Sequence, residues 1–420
     1  MVRRLLTSVI LLAAGLSGLA SGAEDTRTAV FDPDFSTLQV YVDEEVLADP
    51  VITLDGSRRL TVEFDERSSD VRYMRYSLTH CNADWQPSNL VATEYIDGFN
   101  EGTIDEYDFS RATTVQYVHY RISLPNEQIR FTHSGNYLLK VYDETEPDET
   151  LLQARFKVTE QRVAIGAEVT SRTDVDYNRA HQQLSISVDP GKMPMQDAFN
   201  DFKVVVTQNN RPDNARTLIH PMRMQGNTLI YEHLPELIFD GGNEYRRFET
   251  VSLRVPSMNV ESVVYQHPYY HAVIAGDGVR AYEPYSYDST QAGRYVVREM
   301  DATDSDTEAD YAVTYFTLFM PRLEGVDIYI EGDLTNRRLD DTSRMRYNEE
   351  SGAYEKAMLL KQGSYNYQYL AVPRGSQTGM TATVEGNFYN TGNEYQIAVY
   401  RRLPSERADR LMGYSTIIMQ

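Results

Sequence analysis

The stretch His80-Cys-Asn-Ala-Asp-Trp-Gln-Pro-Ser-Asn-Leu-Val-Ala-Thr-Glu-Tyr-Ile-Asp-Gly-Phe99 interrupts a chain that otherwise consists of strand-like segments. It contains the single cysteine, Cys81, and the single tryptophan, Trp85, of the 420 residues. Its Asn, Asp, Pro and Gly residues favour turns, and its aromatic residues offer large apolar surfaces. We interpret it as a long connection that follows a strand at 73–79. We expect Trp85 and Phe99 to fix this connection to a core.

Strand patterns continue on both sides of this loop. The chain has 31 Tyr and 14 Phe, and apolar residues alternate with polar ones in many short segments, as in half-buried strands. Long runs with the helical period of 3.6 residues are hard to find. The sequence therefore predicts an all-β fold, with strands at 38–42, 60–64, 73–79, 115–122, 137–142, 152–158, 163–169, 184–188, 202–206, 217–219, 229–231, 248–255, 262–265, 270–274, 294–297, 312–319, 326–330, 354–360, 364–370, 395–401 and 411–418.

Breaks between these strands divide the chain into tandem immunoglobulin-like β-sandwich domains. We expect an N-terminal β-sandwich at 24–160 and a middle β-sandwich at 161–300, because short strands and turn residues alternate through both. An acidic linker at 301–310 follows, and a C-terminal β-sandwich occupies 311–420. True immunoglobulin domains usually contain a disulfide between their two sheets, and this chain has no second cysteine to form one. We therefore describe the predicted domains as immunoglobulin-like.

The C-terminal unit resembles the glycogen-binding type of early-set immunoglobulin-like domain. The resemblance rests on a strand followed by Gly332-Asp333-Leu334-Thr335, a hairpin, Gly363 and the segment 365–369. That family presents tryptophans to its sugar, whereas this unit contains none. The resemblance implies a shared scaffold that has lost sugar binding. A secreted carbohydrate-binding protein that uses Tyr in this domain is the alternative.

The N-terminus has the order of a secretory signal peptide. Arg3 and Arg4 precede an apolar run, Leu5–Ala20, and the small residues Ser21 and Ala23 fit a cleavage site, so residues 1–23 are predicted to be removed. A membrane anchor is the alternative, but the run is short and diluted by polar residues and glycine. The net charge of −22 makes nucleic acid and direct membrane adsorption poor partners.

The acidic segment 301–310, Asp-Ala-Thr-Asp-Ser-Asp-Thr-Glu-Ala-Asp, has two interpretations. Its carboxylates offer the hard oxygen ligands that Ca²⁺ prefers. The spacing and the glycine of an EF-hand loop are missing, however, and runs of like charge are typical of solvated linkers. We therefore expect a solvated linker.

No catalytic centre is predicted, and we expect no catalytic, cofactor-binding or metal-binding residues. The motifs of serine hydrolases, zinc proteases and phosphate- or dinucleotide-binding enzymes are missing. His80 and Cys81, beside Asp84, resemble a nucleophile with its base, but neighbouring residues on a strand point to opposite faces. His267 and His271 lie about 13 Å apart on an extended strand. A hydrolase with an unrecognised pair of acids is the least favoured option.

Eight sequence blocks, in order along the chain, resemble the plug proteins of the bacterial type IX secretion system. They are His80-Cys81-x-x-Asp84-Trp85-x-Pro-Ser88, Glu94-Tyr95-x-Asp97-Gly98-Phe99, Tyr117-x-His119-Tyr120, Leu124-Pro125-Asn126, Ser134-Gly135-Asn136-Tyr137, Gln208-Asn209, Gly242-Asn243-Glu244-Tyr245-Arg246 and Lys361-Gln362-Gly363-x-Tyr365-Asn366-Tyr367. The chain departs from the pattern at Pro212, where the family tends to carry Trp, and at Ala112, where Asn is usual.

This resemblance implies a non-catalytic protein of the periplasm of Bacteroidota-type bacteria. Such a protein binds the periplasmic mouth of a very large outer-membrane β-barrel, the translocon of the system, and seals it while no substrate passes. The implied partner would hold the chain at the inner face of the outer membrane. Which residues contact the partner stays unknown from sequence.

Overall fold

The computed structural model describes residues 25–419, and the predicted signal peptide, 1–23, lies outside this range. Strands make up almost all of the regular structure, so the all-β prediction is confirmed. Within 25–419 no helix is long and apolar enough to cross a membrane. The three largest hydrophobic cores among residues 25–419 divide the strands into three packed units.

The first unit consists of two main sheets that enclose one core of apolar and aromatic side chains. Its strands are β1 (Ala29–Val30), β2 (Phe35–Val42), β3 (Val51–Thr53), β4 (Leu60–Glu66), β5 (Met74–Cys81), β6 (Ile96–Gly98), β7 (Glu101–Thr103), β8 (Glu106–Phe109), β9 (Val118–Leu124), β10 (Ile129–Phe131), β11 (Gly135–Asp143) and β12 (Glu146–Thr159). One sheet has the order β1-β12-β11-β5-β7, with β3 parallel to β12, and the other has the order β2-β4-β9-β8. A short helix, α1 (Ala92–Tyr95), lies within the loop that follows β5.

The remaining strands continue in chain order. They are β13 (Ala164–Thr170), β14 (His181–Asp189), β15 (Phe202–Gln208), β16 (Arg216–Leu218), β17 (Arg223–Gln225), β18 (Thr228–Tyr231), β19 (Ile238–Asp240), β20 (Arg246–Glu249), β21 (Val260–Gln266), β22 (Tyr269–Ile274), β23 (Asp277–Gly278), β24 (Tyr295–Val297), β25 (Tyr311–Phe319), β26 (Val326–Glu331), β27 (Arg346–Asn348), β28 (Ala353–Lys361), β29 (Gly363–Pro373), β30 (Glu394–Arg401) and β31 (Arg410–Ile418). Helix α2 (Ser305–Glu308) lies between β24 and β25, and single 3₁₀ turns occur at Pro212–Asn214, Pro235–Leu237 and Asp333–Thr335.

The middle unit is built from two separate parts of the chain. Its first sheet, β13-β14-β18-β17, uses residues before 242, but its second sheet has the order β16-β15-β30-β31. Strand β15 pairs with β30 in register from Phe202 with Arg401 to Gln208 with Tyr395. Residues 161–242 and 392–419 therefore form one sandwich, and residues 243–391, here called the insert, form the third unit between them.

This grouping differs from the predicted units at 161–300 and 311–420. Strands β21 and β22 join β25, β28 and β27 in one sheet of the insert, while β20 and β24 flank β29 in the other. Apolar alternation identifies a strand but not its partner, because the pairing depends on packing between distant segments. The predicted boundary at 301–310 therefore falls inside the insert.

The acidic segment 301–310 is a packed joint, which corrects the expectation of a solvated linker. Thr307 and Asp310 are buried, at 1% and 6% exposure. The Asp310 carboxylate accepts hydrogen bonds from Thr114 N at 2.6 Å, from its Oγ1 at 2.7 Å, and from Val115 N at 3.1 Å. The segment thus fastens the insert to the first unit.

Candidate functional site

His80 is a structural residue of the first core. It continues the inward-facing positions of β5, and its side chain is 1% exposed against the rings of Tyr95 and Tyr137. Its Nε2 donates to the carbonyl oxygen of Ser134 at 3.1 Å, and its Nδ1 accepts from the Ser88 hydroxyl at 2.8 Å. Burial lowers the pKa of His80 to about 4, so the ring is neutral near pH 7.

Cys81 has the opposite orientation, as the sequence predicts. It is buried, and its Sγ lies 3.8 Å from the carbonyl oxygen of Thr79. Because adjacent strand residues point to opposite faces, the His80 ring cannot activate this thiol.

The aromatic anchors of the loop are only partly those expected. Phe99 is 73% exposed, so the prediction that it fixes the loop to the core is wrong. Tyr95 takes this place: it is 6% exposed and its hydroxyl donates to the carbonyl oxygen of Leu78 at 3.1 Å. Trp85 is half-buried with a φ of 65°, and it lines a cleft instead of joining the core.

That cleft lies where the three units meet, and its volume is about 470 Å³. The guanidinium of Arg155 lies 4.2 Å from the centre of the Trp85 ring, and Lys157 Nζ lies 5.4 Å from it. Arg155 donates to the backbone oxygen and the hydroxyl of Thr26, while Lys157 also approaches the Tyr414 ring at 5.5 Å. Burial lowers the pKa of Lys157 to about 8. Two cations beside aromatic rings can receive an anionic group.

Asp49 joins all three units at the edge of this cleft. Its Oδ1 accepts hydrogen bonds from Asn210 at 2.6 Å and Arg294 at 2.9 Å. Its Oδ2 accepts from the hydroxyls of Tyr414 and Thr416, both at 2.9 Å. Burial opposes its ionisation, but the Arg294 charge and these hydrogen bonds outweigh that effect and hold the pKa of Asp49 below its ordinary value.

Asp65 forms a second buried joint, between the first unit and the insert. Its Oδ2 accepts from Lys361 Nζ at 2.6 Å and from the Tyr311 hydroxyl at 2.7 Å. Its Oδ1 accepts from His119 Nδ1 at 2.8 Å. Buried carboxylates of this kind are costly to separate from their cations, so the joints hold the units together.

Neither Asp49 nor Asp65 was predicted from the sequence to connect units. Asp65 lies in a strand whose residues are all buried, and its charge within apolar alternation was the only available signal. Asp49 lies in a loop, where an acidic residue carries no such signal.

One sheet of the insert leaves several apolar side chains partly exposed. Val264, Tyr315 and Phe319 are 60%, 36% and 56% exposed. The strand register brings these side chains to one face of the sheet. Val264 lies opposite His271, His271 lies opposite Val313, and Val273 lies opposite Tyr315. We call Val264, His271, Val273, Val313, Tyr315 and Phe319 the exposed face of the insert. Aromatic and apolar residues with few charges are typical of the centre of a protein interface.

The positions of the residues do not support a metal ion shared by His267 and His271, a Ca²⁺ site formed by 301–310 alone, or sugar binding. His271 Nδ1 contacts the Tyr315 hydroxyl at 2.8 Å, and His267 Nδ1 contacts that of Tyr265 at 3.3 Å. Asp304 caps α2, and within 25–419 no three acidic residues of 301–310 bring their oxygens within 4.8 Å of one another.

The tyrosines of segment 365–369 point into the core of the insert. Tyr365, Tyr367 and Tyr369 are 1%, 2% and 0% exposed, and the hydroxyls of Tyr367 and Tyr369 both donate to Asp277 at 2.7 Å. They therefore offer no flat surface to a sugar.

Comparison with known proteins agrees with this architecture. Residues 35–160 match the model of the family described as type 9 secretion system plug protein, 1st domain. A crystal structure of a hypothetical protein from Parabacteroides merdae is 44% identical to the chain, covers 94% of it and 99% of its own length, and has a TM-score of 0.92.

Two other solved structures have TM-scores too low to indicate a shared fold. An alkylpurine DNA glycosylase from Pseudomonas fluorescens is 13% identical over 29% of this chain and 30% of its own, with a TM-score of 0.15. An enterococcal surface protein, in its partial N-terminal region, is 7% identical over 96% and 97%, with a TM-score of 0.20. No curated protein matches the chain.

The match over the first unit includes the loop with Cys81 and Trp85, where the sequence resemblance is also densest. The near-complete coverage of the Parabacteroides protein extends the same architecture to the insert and the middle unit. The chain therefore belongs to the type 9 secretion system plug protein family.

Proposed function

We propose that the protein is a non-catalytic plug that binds the periplasmic mouth of the large outer-membrane β-barrel translocon of the type IX secretion system. There it seals the opening against leakage while no substrate passes. The observation that carries this proposal is the family match over residues 35–160.

The joints between the units support a steric mechanism. Asp49 connects the first unit to both the middle unit and the insert, and Asp65 adds a second, buried connection to the insert. Breaking a buried ion pair costs several kcal/mol, about 3–5 for removal of one partner. A body held by such contacts resists hinge motion, which a seal requires.

The location that we propose is the periplasm, at the inner face of the outer membrane. The predicted signal peptide supports export. The net charge of −22 opposes adsorption to anionic lipid head groups, so attachment to the membrane depends on a protein partner.

We propose that the exposed face of the insert contributes to the contact with the translocon. Its uncharged side chains contrast with the acidic surface of the chain as a whole, and an apolar centre with a polar rim suits protein association. Release must follow when a substrate passes, and an interface of moderate size permits this.

The proposal is tested by purification of the translocon from detergent-solubilised envelopes. We expect the chain to co-purify, and we expect its deletion to increase entry of large antibiotics or dyes. Normal permeability together with a translocon that never carries this chain would refute the plug function.

The contact face is tested with point variants in the same assay. We expect Val264→Glu or Tyr315→Glu to reduce co-purification at least tenfold while the thermal unfolding of the chain stays unchanged. The matched control is Tyr177→Glu, since Tyr177 is 61% exposed, belongs to the middle unit and is not part of the exposed face of the insert. If all three variants are recovered equally with the translocon, the contact lies on another surface of the chain. That result would leave the proposed plug function intact.

A further inference from the structure

We propose that Glu63, His119 and Asp306 bind one divalent transition-metal ion, with Zn²⁺ the favoured ion, at the joint between the first unit and the insert. Glu63 lies on β4, His119 on the neighbouring strand β9, and Asp306 on α2. A metal ion held by all three would strengthen the contact between these two units, which otherwise consists of non-covalent interactions. This inference does not depend on binding to a translocon.

His119 has the environment of a metal-binding imidazole. Its side chain is 8% exposed, and its Nδ1 donates to Asp65 Oδ1 at 2.8 Å. Metal-binding histidines almost always donate their second ring nitrogen to a carboxylate or carbonyl oxygen in this way, which fixes the lone pair on the other nitrogen. Asp65 would therefore orient the ring for a ligand at Nε2.

The Nε2 atom of His119 is buried and has no hydrogen-bond partner among residues 25–419. Glu63 Oε1 forms an ion-pair contact with His119 Nε2, but the two atoms are 3.9 Å apart, which is too long for a hydrogen bond. A buried polar atom without a partner is unusual in a native protein and calls for an explanation. A bound ion would supply the missing contact.

The three side chains converge on a small volume. One ligand atom from each of Glu63, His119 and Asp306 lies within 4.8 Å of the other two. Around tetrahedral Zn²⁺, with bonds of about 2.0–2.1 Å, neighbouring ligand atoms are separated by about 3.3 Å. Small movements of the three side chains would bring their ligand atoms to the separation that Zn²⁺ requires.

The chemistry of the ligands selects the class of metal. One imidazole nitrogen and two carboxylate oxygens suit Zn²⁺ and similar first-row ions, whereas Ca²⁺ and Mg²⁺ prefer oxygen ligands alone. The side chain of Asp306 is 38% exposed, which gives an ion a path from solvent and leaves a fourth position for water.

Two cations border the site. Arg121 Nε donates to Glu63 Oε1 at 2.5 Å and its Nη2 to Asp306 Oδ2 at 3.5 Å, so a metal ion must displace Arg121 from both carboxylates. Arg121 Nη1 lies 3.5 Å from Glu106, which remains as its acidic partner after this displacement. Lys361 Nζ donates to Asp65 and to the backbone oxygen of Asp306, not to the Asp306 carboxylate.

A proton is the competing occupant of His119 Nε2, because an imidazole must be deprotonated at the nitrogen that binds a metal ion. Metal uptake is therefore favoured at alkaline pH.

The test uses the full mature chain, purified without a histidine tag, stripped with EDTA and titrated at pH 8.5 with ZnCl₂ and, separately, CoCl₂. We expect one Zn²⁺ per chain, a rise in the thermal unfolding temperature, and a Co²⁺ absorption spectrum typical of four-coordinate nitrogen and oxygen ligands. Asp306→Asn should weaken Zn²⁺ binding at least tenfold, because it removes an anionic ligand at a partly exposed position that folding tolerates. Glu63→Gln should have the same effect.

The matched control is Glu308→Gln, which removes a carboxylate from the same helix but lies outside the proposed ligand set. It should bind Zn²⁺ as the unchanged chain does. If no ion is taken up at pH 8.5, the proposal is wrong. Uptake that persists at full strength in Asp306→Asn would also overturn it, since the ion would then lie elsewhere.

Discussion

Phe202 on β15 pairs with Arg401 on β30, so the middle unit closes only through residues near the end of the chain. Tyr395, Ile397, Val399 and Met412 supply buried side chains to the same core. The insert is thus a unit placed between two halves of another.

We therefore expect removal of residues 394–420 to unfold the middle unit. The truncated chain would lose half of the sheet β16-β15-β30-β31 and expose the apolar face beneath it. Circular dichroism and limited proteolysis should show a protease-sensitive chain from about residue 161 onward. The control replaces residues 243–391 by a short flexible linker, and we expect it to keep both flanking units folded. A truncated chain that unfolds cooperatively at the original temperature would contradict the pairing.

Asp49 should dominate the stability of the contact between the units. Replacement by Ala would remove one of two ion pairs of Arg294, whose side chain is 9% exposed, and leave the pair with Glu394. We expect a loss of about 3 kcal/mol in the free energy of unfolding, measured with denaturant. Asp70→Ala, at an exposed position, should change it by less than about 0.5 kcal/mol. An equal effect of both substitutions would show that the Asp49 contacts are not formed.

His80 should make the first unit sensitive to acid. Its pKa falls from 6.5 to about 4 on folding because burial disfavours the charged ring. Its contribution is therefore complete above pH 6.5 and decreases as the pH falls towards 4, by about 3 kcal/mol in total.

Denaturant unfolding at pH 7 and at pH 4.5 measures this effect. His80→Gln removes the titrating group, so the variant should lose less stability between the two pH values than the unchanged chain does. His220→Gln, at an exposed histidine, serves as the control and should follow the unchanged chain. Identical pH profiles for His80→Gln and the unchanged chain would exclude a buried, neutral His80.

Trp85 should contribute less to stability than a core tryptophan. It is half-buried and stacks under Arg155 at the cleft, so Trp85→Ala should cost about 1–2 kcal/mol. Tyr137→Ala, at 0% exposure, should cost about 3–5 kcal/mol. Thermal and denaturant unfolding compare the two variants, and a larger loss for Trp85→Ala would mean that the loop is packed as a core element.

The sequence predicts most strands and the architecture class, but not the way in which the strands pair. Segments 202–206 and 395–401 are correctly identified as strands, yet nothing in their alternation indicates that they are neighbours. Short strands such as Ile96–Gly98 are not predicted, because Asp97 and Gly98 favour turns and the strand is formed by pairing with the distant β10.

Ala112 has a φ of 58°, a left-handed conformation that Asn adopts more readily than Ala. The backbone at this position therefore suits the Asn that the family resemblance leads us to expect. The structure gives no reason for Ala in its place.

The placement of the insert also sets the order in which the chain can be completed. The first unit has all its strands once residue 159 is available, whereas β15 lacks its neighbour β30 until residue 401 has been made. Domains generally fold as units from the N-terminus during synthesis. A chain that stops early would then consist of one finished sandwich followed by an open strand edge, a form prone to aggregation and to proteolytic removal.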